Sequence, residues 1–159
     1  MIETVLSIPL ISIVFALASQ VMMTQLDSYE MVANRQGELT DTRYSLNRVA
    51  DELLYLKTSD VLAISSTSID FVDKDGNDTS FEEVTTGGTT SLMRGDDELL
   101  SEISSFTLTY LDSAGATTTD INQLRQIQVS ITTQAIGTTP GLTLSTTIIP
   151  RNFVYASYQ

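Results

Sequence analysis

The first long stretch of the chain is mostly apolar and carries no charge. From Thr4 to Leu26 it reads TVLSIPLISIVFALASQVMMTQL and holds no charged residue. A run of about 23 residues is long enough to cross a ~30 Å hydrocarbon layer as a helix. Beyond it the pattern stays helical but turns amphipathic. Met22, Leu26, Tyr29 and Ala33 follow a 4-3-4 spacing, and Leu46, Val49, Leu53 and Leu56 follow 3-4-3. Gln36 and Gly37 interrupt the stripe, so the apolar face changes phase there. Asp27, Glu30, Arg35, Asp41, Arg48 and Glu52 take the other faces. The spacing predicts one helix from about residue 2 to about residue 57, some 80 Å long at ~1.5 Å per residue. Pro9 lies inside the apolar run, removes a backbone donor and predicts a kink or an unwound turn. The hydroxyls of Ser7 and Ser12 are the compensating groups a membrane helix uses.

After Thr58 the period shortens to two. Ile69 and Phe71 mark a half-buried strand, Asp73–Asp78 (DKDGND) a turn, and Thr79–Val84 the return strand. Gly87–Gly88 is a second turn, leading to a short strand around Ser91–Arg94. DDELLSEI, residues 96–103, reads as a brief connection with Leu99, Leu100 and Ile103 inward. Phe106, Leu108 and Tyr110 alternate with threonines. Ile127, Val129 and Ile131 do so with polar residues, and Leu142, Leu144 and Thr146 repeat the pattern. These signals predict an α+β fold: an antiparallel meander with one apolar face, covered by Val49, Leu53 and Leu56 of the helix. Three segments result: the apolar half-helix (1–26), its amphipathic continuation (27–58) and a β-rich head (59–159).

Composition narrows the function. In 159 residues the net charge is −12, which excludes a basic stripe for phosphates and argues against nucleic acid. The same charge disfavours adsorption to anionic lipid. Without cysteine there is neither a disulfide framework nor a thiolate site. Without histidine the commonest general base and metal ligand is missing, so the chain reads as a non-enzyme. The N-terminal segment lacks the basic flank and small-residue cleavage site of a signal peptide. Asp73, Asp75, Asn77 and Asp78 cluster oxygen ligands of the calcium type. The glycine, however, comes fourth rather than sixth in the series, and a solvated hairpin turn demands the same residues. No other cofactor is indicated. Asn77-Asp78-Thr79 matches the N-glycosylation pattern on paper.

Glu3 stands at the lip of the apolar run, where a carboxylate is costly without a cationic partner. The first basic residue of the chain is Arg35, so the partner is a lipid head group or another molecule's free N-terminus. A carboxylate before an apolar helix, an amphipathic continuation and a β-meander at its foot resemble the type IV pilin and pseudopilin family. MIETVLSIPLI looks like the family's processed start. RVADELLYLKTSDVLAISSTSIDFVD, SLMRGDDELLSEISSFTLTYLDSAG, LRQIQVSITTQ and LSTTIIPRNF resemble its J-type pseudopilins and W-type minor pilins. In the family the glutamate comes fifth after the cleavage point; here it is third, as if a leader and two mature residues preceded this start. The resemblance implies a filament subunit in which Glu3 pairs with a neighbour's N-terminal amine and Pro9 marks an extensible segment. It further implies, as partners, identical or related pilin subunits, an inner-membrane assembly platform, a prepilin peptidase and, before assembly, membrane lipid. The implied location is the bacterial inner membrane, then a periplasmic pseudopilus or a surface filament. The alternative is a membrane-anchored extracytoplasmic ligand-binding domain.

Overall fold

The computed structural model describes residues 2–135 and 140–153, with backbone alone for residues 2–10. Among the described residues one helix, α1 (Ile2–Leu54), is followed by a single 3-10 turn (Thr58–Asp60) and eight strands. The chain divides into two compact units, Met1–Glu38 and Leu39–Gln159, separating one residue beyond Gly37.

In the first unit the side chains from Ile11 to Asn34 are all exposed, including Phe15 at 74% and Met22 at 67%. Three of its described hydroxyls bond back within the helix. Ser19 donates to the Phe15 carbonyl (2.8 Å), Thr24 to Gln20 (3.0 Å) and Ser28 to Thr24 (2.7 Å). Back-bonding of this kind removes the need for water at those positions. By length and composition the helix is able to cross a membrane and to anchor the chain in one.

The second unit is an α+β head in which the end of α1 packs on antiparallel sheets. Leu46, Val49, Leu53 and Leu56 are all buried, as their spacing predicts. The expected meander is divided in two. Sheet A runs β1 (Val61–Ile64), β2 (Ser68–Val72), β3 (Asp78–Thr86), β4 (Thr89–Arg94) and β5 (Asp97–Leu100), while sheet B holds β6 (Ile103–Leu111), β7 (Gln126–Thr133) and β8 (Thr143–Ile148). The break falls at Ser101–Glu102, where Glu102 takes a left-handed φ of 57°. That conformation is costly for a residue with a Cβ, and it turns the chain out of β5 into β6.

Residues 97–100, expected as part of a connection, are a strand. Arg94 pairs with Asp97 across a two-residue turn, and Gly95 supplies its positive φ of 55°. β1 went unread because four residues without alternation carry no period. The helix stops at Leu54 rather than near residue 57. Tyr55 and Leu56 instead make i→i−3 bonds, and the Leu54 and Tyr55 carbonyls accept from the Arg151 amide (3.0 Å) and the Asn152 side chain (2.8 Å). The Arg151 guanidinium also lies 5.6 Å from the Tyr55 ring centre, a cation beside the negative end of the helix dipole.

The core joins α1 to both sheets. Phe71 and Phe81 lie diagonally across the β2–β3 ladder and stack at 5.4 Å. Phe106, Ile127, Val129 and Ile131 fill the sheet B side with no exposure.

Candidate functional site

Glu3 and Pro9 both lie on α1, whose backbone is helical on either side of them; their side chains lie outside the described residues.

The Asp73–Asp78 turn brings its four candidate ligands into one loop, and the Asp73 carboxylate is committed there. Its Oδ1 accepts from the amides of Asp75 (2.9 Å) and Asn77 (3.0 Å), and its Oδ2 lies 3.8 Å from the Arg94 guanidinium. The Asn77 amide, foremost, and the Asp75 amide and Arg94 hold this carboxyl below the ordinary aspartate range, against a smaller opposing effect of burial. A second turn has the same design. Asp112 accepts from the amides of Ala114 (2.8 Å) and Ala116 (2.9 Å), and Gly115 (φ 78°) corresponds to Gly76 (φ 83°). The residues between, Ser-Ala-Gly-Ala, carry no acid at all. The D-x-x-G pattern therefore needs no ion to explain it. Among the described residues no group of three or more Asp and Glu side chains is placed to hold a metal.

Arg94 leads to a feature the pattern did not reveal. Its Nε donates to both carboxylate oxygens of Glu52 at 2.9 Å, and Arg48, one turn before Glu52 on α1, reaches the same carboxylate at 2.7 Å. One cluster thus ties α1 to β4 and to the β2–β3 turn. It forms the polar side of a groove of about 530 Å³ with Tyr55, Leu56 and Phe71 on the apolar side. Arg48, Lys57, Lys74 and Arg94 face Asp51, Glu52, Asp60 and Asp73 there. Half of the chain's eight Lys and Arg residues line this one groove. No spacing in the sequence brings them together, because they come from α1, the segment after it, the β2–β3 turn and β4.

Two further polar groups stitch the head. Ser45, almost fully buried on α1, donates to the Leu99 carbonyl at 3.0 Å. Glu83 of β3 accepts the Phe106 amide of β6 at 2.6 Å, bonding sheet A to sheet B. These groups hold elements together; none pairs a nucleophile with a base. Comparison with known proteins finds no family model and no curated sequence that matches this chain.

Proposed function

We propose that this chain is a non-enzymatic structural subunit of a type IV-like filament, a minor pilin or pseudopilin, with the major pilin as the same reading at higher copy number. The observation that carries the proposal is the contrast within α1. Its first unit exposes apolar side chains, with the Ser19, Thr24 and Ser28 hydroxyls bonded back within the helix, while its end is packed into a head with a core of its own. Such a surface needs lipid or other subunits to cover it. The helix then serves first as a membrane store and later as filament core. Glu3 pairs with a neighbour's N-terminal ammonium and sets the axial register. Subunit partners, assembly platform, peptidase, and passage from inner membrane to pseudopilus or surface filament all belong to this reading.

The test is Glu3→Ala. Leaving an ammonium unpaired in an apolar core costs about 3–5 kcal/mol, so surface filaments should fall ~100-fold or more while the membrane-inserted amount stays constant. Unchanged filament yield contradicts the role of Glu3. A second reading, an anchored binding domain, is favoured by the mixed-charge groove at Glu52 and Arg94. It predicts a cell that keeps the chain unprocessed and builds no filament from it.

A further inference from the structure

Among the described residues four strands end the two sheets, and three of them are blunted. β1 is four residues long and bulged between Val61 and Ala63. β5 is equally short and brings Asp97 and Glu98 to its edge. Along β6 three outward groups are already used: the Phe106 amide by Glu83, the Leu108 amide by the Ser66 carbonyl (2.8 Å), and the Tyr110 carbonyl by the Thr118 amide (2.9 Å). Shortness, charge, bulging and cover are the ways sheets avoid pairing with other chains. β8 has none of them. Its six residues, TLSTTI, run in unbroken register along β7, and among the described residues no hydrogen bond reaches its other side.

The frame of the ladder identifies the free groups. The Thr133 amide donates to the Leu142 carbonyl at 2.9 Å, and bonded pairs alternate from there. The backbone of Leu144, Thr146 and Ile148 therefore bonds β7, and that of Thr143, Ser145 and Thr147 points outward. Charge supplies the second observation. Residues 126–150, which contain β7 and β8, carry no charged side chain in a chain of net charge −12. Copies of so acidic a chain repel one another, and an uncharged edge is where two of them approach at the lowest Coulomb cost. A basic partner would find its counter-charges elsewhere on the head.

We infer that β8 is a self-association edge, pairing antiparallel with β8 of a second copy to fuse two three-stranded sheets into one. Thr143 then faces Thr147 of the other copy, and Ser145 faces its own counterpart across the two-fold axis. The contact is isologous and closes at two copies. It is distinct from polar assembly through α1 and stands or falls independently of the filament reading.

The absence of cysteine makes the test direct. Ser145→Cys and, as a control on the exposed β6–β7 loop, Ser113→Cys are made in the full chain. Each is held in detergent micelles and treated with a short thiol–thiol cross-linker. The paired Cα atoms would lie ~5.5 Å apart at Ser145, so Ser145→Cys yields a covalent dimer and Ser113→Cys stays monomeric. The double variant Ser145→Asp, Thr147→Asp loses the dimer in sedimentation while melting as the parent does. Equal cross-linking of the two cysteine variants, a parent chain that sediments as a monomer, or a folded double variant that still dimerises overturns the inference.

Discussion

Asp73 and Asp112 solve one problem twice, each presenting a carboxylate to two amides of its own turn and relying on a glycine three residues on. The depressed pKa of Asp73 makes its contribution pH-dependent. The ionised form is favoured by folding, so the stabilisation is present above the unfolded value, ~4, and is lost as pH falls through the lower folded value. Melting temperature should accordingly drop more steeply between about pH 5 and pH 3 in the parent than in Asp73→Ala. Equal slopes contradict the assignment. Tyr110 behaves in the opposite sense. Burial pushes its phenol well above the ordinary range, and its hydroxyl donates to the Ser68 carbonyl at 2.9 Å. Stability is therefore full below the unfolded value of ~10 and declines as pH rises past it, because only the unfolded chain ionises there. Tyr110→Phe should cost about 1 kcal/mol at neutral pH through the lost hydrogen bond, the Ser68 carbonyl keeping the Ser65 amide, and flatten the alkaline decline, both read from denaturant melts against pH.

At the scale of elements, what could be read beforehand followed from periodicity. Val49 and Leu53 on the helix, and Ile127, Val129 and Ile131 on β7, repeat cleanly enough to predict both their element and their burial. β1 and β5 were missed because short strands without alternation look like connections, and the division into two sheets depends on one residue, Glu102, whose positive φ no side-chain pattern announces. The ion cluster was illegible for a different reason. Arg94 and Glu52 are 42 residues apart, and only the fold places them 2.9 Å from each other. Its energetic weight is unequal. Glu52→Gln leaves two guanidiniums without their carboxylate in a partly buried setting and should cost about 1–2 kcal/mol, whereas Arg48→Gln, on the exposed side of the same cluster, should change stability by less than about 0.5 kcal/mol. Thermal melts of the two variants distinguish them. The turn at Asp73 was legible as a turn, whereas its recurrence at Asp112, on the same D-x-x-G spacing, went unread until the structure showed it.

At the scale of the whole molecule, an uncovered apolar half-helix and a self-contained head divide the work between them. The head has its own core and its own ion cluster. The first unit exposes large apolar side chains along its described length, so it requires a surrounding it does not carry. A membrane supplies that surrounding for a single copy, and a bundle of copies supplies it without lipid. The central claim is that this chain moves from the first to the second. The most direct measurement is cryo-electron microscopy of filaments sheared from cells, combined with mass spectrometry of the chain's N-terminus. The account predicts a processed N-terminus and α1 helices bundled in the filament core, with Glu3 beside a neighbour's terminal amine. A processed chain found only in trace amounts in the filament fits the minor-subunit form of the same account. An unprocessed chain that stays in the membrane and enters no filament would contradict it.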